Sequence, residues 1–328
     1  MATTSTTVPG AGPRASSRSF LSRLRDGDEI ARLLTFLFAA TVVLITATLV
    51  YQLWVDSVLP RHKFGWKFLV TEVWDPVFDQ FGALPFIFGT VVTSAVALLI
   101  AVPLGIGAAI FLAELAPRRV SDALTFFIDL LAAVPSVIYG LLGVFILVPL
   151  MREVIQPFLR ATLGFLPIFS GPGYGVSFLT AGIVLAVMVI PFIISVSREV
   201  LMSVPRDVRE AALALGATRW ESTWKVVVPF ARPGIFGSIF LALARALGET
   251  MAVTMVIGNT PKIAASLFAP GYSIAAVIAN EFTEATGDLY LQSLVELGLV
   301  LFLLTFILNG LARLLILLTE RRGSGAYA

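Results

Sequence analysis

Two opposite charges stand inside an apolar run. In LALARALGETMAV, Leu241 to Val253, Arg245 and Glu249 are four residues apart, which makes them neighbours on one face of a continuous helix. They follow Pro233 by about 18 Å of helix, roughly mid-bilayer. Arginine at the centre of a membrane helix costs about 2.5–3.5 kcal/mol on insertion scales, so it should face a cavity or a partner. Ala244, Gly248 and Ala252 form a small-residue stripe beside the pair that suits a close helix neighbour. Two readings are open. In one, the charges neutralise each other and lock helix packing. In the other, the planar guanidinium offers its donors to an oxyanion in transit, and Glu249 holds or releases it. Thr250, with Ser136 and Tyr139 from a proline-broken apolar run, are uncharged candidates for the same path. Helix-to-helix hydrogen bonding is the plainer alternative for such residues.

Other chemistry is excluded by residue type. The chain has no cysteine and one histidine, so thiol nucleophiles and Cys-based metal sites are out. His62 stands between Arg61 and Lys63 and reads as a solvated loop residue. A phosphate-cradling loop needs Gly-Lys before Ser or Thr. The lysines, 63, 67, 225 and 262, follow His, Trp, Trp and Pro. This chain therefore cannot hydrolyse ATP alone. Asp129 and Glu296 are isolated membrane carboxylates, and no catalytic or metal-binding set is expected.

The elements that must position these residues are membrane helices. Hydrophobic residues make up 58% of the 328 and charged residues 13%, about half the charged share of a soluble domain. Residues 1–30, rich in Thr, Ser, Gly and Arg, read as a disordered tail. The apolar run 31–55 is too long for a signal peptide and reads as a first span. Five more spans are expected near 84–112, 124–150, 177–196, 234–257 and 294–318, followed by a tail over 319–328. Of 23 Lys and Arg, 16 fall on the side of the N-terminus, 6 on the other, and Arg245 within a span. That asymmetry puts both termini and the 203–232 loop in the cytoplasm. Three external loops remain, near 56–83, 151–176 and 258–293.

The 203–232 loop carries its own pattern. Ser203 and Pro205 suit a helix start. Val208, Ala211, Ala212 and Leu215 fall on one apolar stripe. Gly216 suits a left-handed helix end. Thr218 with Glu221 suits a capping box, and Pro229 a stop. Such a helix pair needs a partner groove to bury its stripe.

Glu210-Ala211-Ala212, Gly216 and Val226-Val227-Val228-Pro229 resemble the EAA loop of ABC importer permeases, with valine at 226 and 228 where that family usually has Ile and Leu. RALGETMAV and LLAAVPSVIYGLLGVFILVP (Leu130–Pro149) are similar to the phosphate-importer permeases, and to the C-type of their two homologous chains, over about residues 30–320. Sulfate and molybdate permeases usually carry Phe-Gly where Thr250-Met251 stands here. The resemblance implies an all-α integral membrane protein of six transmembrane helices with the type I ABC importer permease fold. Its core, spans two to six, would occupy 84–318.

In that family Glu210, Ala211, Ala212, Leu215 and Gly216 match the coupling helix that docks on an ATPase subunit. Arg245 and Glu249 match residues implicated in translocation. The implied partners are a homologous A-type permease, a dimer of ATPases that use ATP and Mg, an extracytoplasmic phosphate-binding protein, inorganic phosphate and the bilayer. No nucleic acid and no cofactor on this chain are implied. The implied location is the bacterial cell membrane. A sulfate or molybdate permease is the alternative within the class. A secondary transporter or channel with an Arg245/Glu249 relay is the alternative outside it.

Overall fold

Residues 28–171 and 173–324 are described by the computed structural model, and they are helical almost throughout. β-pairing among them is one isolated bridge, Asp75 to Gln80. By contacts the chain divides after Gln52. The first unit holds most of α1 (Asp28–Val55). The hydroxyls of Thr35, Thr41, Thr46 and Thr48 each donate to the carbonyl four residues back. None of these four hydroxyls is then left to face lipid unsatisfied. α1 begins slightly ahead of the expected Ala31, and the rest of the expected tail, residues 1–27, lies outside the described residues.

The second unit, from Leu53, contains α2 (Leu84–Ile110), α3 (Arg118–Ala132), α4 (Ser136–Leu163), α5 (Phe178–Met202), α6 (Arg206–Ala214), α7 (Arg219–Leu247), α8 (Met251–Val256), α9 (Ile274–Glu281) and α10 (Asp288–Ser324). Together with α1, the helices α2, α4, α5, α7 and α10 are long and apolar enough to cross a membrane, by length and composition. α5 is the most buried of them and packs along α2. The α2 face is a stripe at every fourth residue, Gly89, Thr93, Ala97, Ala101, Gly105 and Ala109, all buried. A Cβ on Gly105 would lie 2.7 Å from the Ile193 side chain, and one on Gly182 would lie 2.4 Å from Val96. Small residues bring the two backbones together where dispersion contacts, not exclusion of water, drive association.

The third span differs from expectation. The run 124–150 is not one helix: α3 is amphipathic and ends at Ala132, and α4 starts at Ser136 and continues to Leu163. Pro135 causes the break, because it lacks an N–H and pushes Val134 out of the helical region. The Tyr139 hydroxyl donates to the Leu131 carbonyl across the gap at 2.7 Å, a second donor beside the Val134 N–H at the end of α3. The expected external loop from 151 is consequently helical as far as Leu163.

Four π turns mark the long helices, at Phe111–Leu115, Gly143–Leu147, Met151–Ile155 and Thr223–Val227. Each ends two residues before a proline: 117, 149, 157 and 229. A proline ring crowds the carbonyl four residues back and leaves it without a donor, and widening the preceding turn relieves the clash. Pro229 therefore does not stop the loop's second helix, which runs straight into the fifth span as α7.

The segment 258–273 is no solvated connector. Ser177, Phe178 and Leu179, at the start of α5, donate their backbone N–H groups to the carbonyls of Val256, Ala269 and Leu267. The helix start is thus sealed by chain that the sequence places in a loop. Gly271 lies so close to Phe178 that a Cβ there would sit 2.0 Å from the ring. Thr90 Oγ1 accepts from the Ile274 N–H at 2.9 Å and so holds the start of α9 against α2. Glu281 accepts from Trp74 Nε1 at 2.8 Å and from the Tyr290 hydroxyl at 2.7 Å, joining the segment before α2 to α9 and α10. Burial raises the phenol pKa of Tyr272, whose oxygen accepts from Asn280.

Candidate substrate pathway and coupling loop

Arg245 and Glu249 do not share a helix. α7 ends at Leu247 with Gly248 as its C-cap, and α8 begins at Met251. Arg245 occupies the last turn of α7, at the negative end of its dipole, and Glu249 precedes α8, at the positive end. Glu249 Oε1 accepts from the Ala252 N–H at 3.2 Å and caps α8. No ion pair joins the two side chains within 4.0 Å, so mutual neutralisation is not what holds them. Arg245 is exposed on the surface of this chain, with neither a hydrogen bond nor an ion pair among the described residues. Its backbone neighbours Ala242, Ala246 and Leu247 are buried behind it. The small stripe Ala244, Gly248, Ala252 is split by the same break.

Of the other pathway candidates, Tyr139 comes within electrostatic reach of the guanidinium, while its hydroxyl is engaged with Leu131. Gly140 next to it brings α4 against α8: a Cβ there would lie 2.6 Å from Met255 Sδ and 3.1 Å from Ala252 Cα. Ser136 opens α4, half-buried, and Thr250 is the N-cap residue of α8, its hydroxyl on the Gly248 carbonyl at 3.3 Å. The structure thus gathers Arg245, Glu249, Thr250 and Tyr139 around the α7–α8 break.

The loop is built largely as its residue types require. Gly216 has φ +87°, and a Cβ there would meet nothing within 4 Å; glycine is needed for the backbone alone. Gly216 N–H donates to Leu213 and Ala217 N–H to Ala212, the paired bonds of a Schellman end. Thr218 and Glu221 form the reciprocal capping box, at 3.2 and 3.0 Å. Ser203 departs from expectation: its hydroxyl donates back to Val200, closing α5, and Pro205 stands at the N-cap of α6. Ala212 is buried, Glu210 and Ala211 are exposed, and Leu215 is 90% exposed. Ala211, Ala212, Leu215 and Gly216 line a recess of about 550 Å³ between α6 and the start of α7. Beside it Trp220 and Trp224 turn outward with ring centroids 5.5 Å apart.

One residue pair was missed by sequence reasoning. Arg209 Nη2 donates to Glu114 Oε1 at 2.8 Å, tying α6 to the end of α2. The signal lay in Glu114 standing at the close of an apolar run just before Pro117, but nothing in the spacing links it to a residue 95 positions away.

A protein family described as "Binding-protein-dependent transport system inner membrane component" matches residues 101–320. This chain belongs to that family. It is 46% identical over 313 residues to "Phosphate transport system permease protein PstC" of Mesorhizobium japonicum, covering 94% of this chain and 96% of the relative. It is 49% identical to the protein of the same description from Haemophilus influenzae, over 86% of this chain and 90% of the relative. Among solved structures, a chain of a bacterial alginate ABC transporter superposes with TM-score 0.57 at 16% identity, covering 88% of this chain and 96% of that one. The fold is the type I ABC importer permease fold, with α2, α4, α5, α7 and α10 as spans two to six.

Proposed function

We propose that the chain is a permease subunit of an ATP-driven importer that moves inorganic phosphate into the cell by alternating access. The observation that carries it is the near end-to-end likeness to phosphate permeases, 46% and 49% identical. The unpaired Arg245 supports an anion as cargo, since a guanidinium fork matches a phosphate oxygen pair. Its exposure in this chain supports a second, homologous A-type permease completing the path. Glu249, Thr250, Ser136 and Tyr139 are assigned to the same path. Glu210, Ala211, Ala212, Leu215 and Gly216 dock on one of two ATPase subunits, which bind ATP and Mg, and a phosphate-binding protein meets the opposite face. The bacterial cell membrane is the location, and the Lys and Arg asymmetry supports both termini being cytoplasmic. Closure of the ATPases on ATP draws the coupling helices together and turns the path outward to accept phosphate near Arg245; hydrolysis resets it. The EAA loop disfavours a secondary transporter, which has no use for an ATPase-docking helix.

The test is uptake of labelled phosphate at low micromolar concentration in cells lacking the gene, with and without the gene restored. Restored uptake blocked by arsenate and untouched by sulfate or molybdate is expected. No restoration, or competition by sulfate, overturns the phosphate assignment.

A further inference from the structure

The structure assigns Arg209 to a latch that makes α6 move with α2 and α5 as one body; this rests on the transport reading above. Only Ala212 of the nine residues of α6 is buried, so apolar packing holds this helix weakly. Arg209, on its first turn and a half, supplies what packing does not. Nε and Nη2 donate to Glu114 Oε1 at 3.2 and 2.8 Å. Nη1 donates to the Val204 carbonyl at 2.5 Å and Nη2 to the Leu201 carbonyl at 2.7 Å. One guanidinium thus joins the end of α2, the last turn of α5 and the start of α6. The Leu201 carbonyl lies in the last turn of α5, where a cation is favoured, and the Val204 carbonyl follows in the turn before α6. The paired side chains are 21% and 12% exposed, so water screens the ion pair little.

Beneath the latch lies a floor of apolar side chains, Leu112, Leu201, Val204 and Val227 among them. In front lies a recess of about 250 Å³ that Glu210 and Leu213 also line. Whatever docks on the loop therefore presses against the wall that holds the pair. Without the latch, thrust on α6 would be spent in the turn Ser203–Pro205 instead of turning α2 and α5. Arg209 and Glu114 are positioning residues: neither is assigned contact with substrate or nucleotide. Lysine cannot replace Arg209, because one ammonium on a flexible stem does not serve three fixed acceptors at once.

The test uses the complex purified with its native partners and reconstituted in vesicles. Glu114→Gln and Arg209→Lys are expected to keep ATP hydrolysis near the wild-type rate while phosphate moved per ATP falls by about tenfold. Wild-type transport per ATP in either assembled variant overturns the latch. A second measurement does not depend on the variants assembling. The chain has no cysteine, so nitroxides on Leu115→Cys and Ala214→Cys report α2 against α6 in the otherwise native complex. One narrow distance, the same with and without ATP, is expected; a distance that changes on ATP binding overturns the proposal. Should the wild-type complex move no phosphate, it is the transport reading that fails, and the label distances still decide the latch.

Discussion

Arg245 stands where both the helix dipole and an exposed surface favour a positive charge, and it makes no hydrogen bond or ion pair among the described residues. That separates it from Arg209 and Arg61, whose guanidinium groups are committed to Glu114 and Glu296. A free guanidinium at membrane depth is tolerated only where a cavity or a partner meets it. Arg245→Gln keeps the length and some hydrogen-bonding capacity but removes the charge. Charge-assisted bonds to a bound oxyanion contribute about 3 kcal/mol, so uptake should fall roughly 100-fold. Co-purification of the variant with its partners checks that assembly is intact, and a well-assembled variant with normal uptake would sink the pathway role.

At the scale of elements, the α7–α8 break decides what Glu249 does. Its carboxylate stands in for the missing turn by capping α8. Glu249→Ala should cost about 1 kcal/mol of stability through the lost cap, whereas Glu249→Gln, which retains an acceptor, should cost little. Thermal unfolding of the purified complex distinguishes the two, and equal losses would show that the cap contributes nothing. The break also explains what was legible in the sequence. Spacing of four between Arg245 and Glu249 implied a shared face only if the helix continued, and Gly248 ends it. Likewise the run 124–150 was apolar enough for a span, but hydropathy cannot say on which side of Pro135 the helix will cross. Gly216 and the Thr218–Glu221 box were readable because their bonds are local. The Arg209–Glu114 tie and the sealing of α5 by residues 256–269 were not, since they join positions far apart in the chain. Pro229 was expected to stop a helix; instead it, like prolines 149 and 157, is absorbed by a π turn, which bends the ladder without breaking it.

For the molecule as a whole, the two ends of the bundle are built differently. The end that carries residues 258–290 is tied together by Thr90, Glu281 and the rings of Trp74, Phe81 and Tyr290, a rigid platform. The other end presents α6 on a single buried alanine and one arginine. Ala211→Asp, a charge on the exposed face of α6, should leave this chain folded while uncoupling ATP hydrolysis from uptake. ATPase rate and phosphate uptake measured in the same vesicles check it, and full coupling in the variant would refute docking at this face.

Leu215, 90% exposed, with Trp220 and Trp224 turned outward beside it, has a consequence for the life of the chain before assembly. Such a surface is poorly tolerated by water and attracts whatever apolar surface it meets first. A copy made in excess of its partners carries a visible mark of being incomplete. Chaperones and membrane proteases that survey exposed apolar segments would find it on this loop, and the ATPase docking proposed above would hide it.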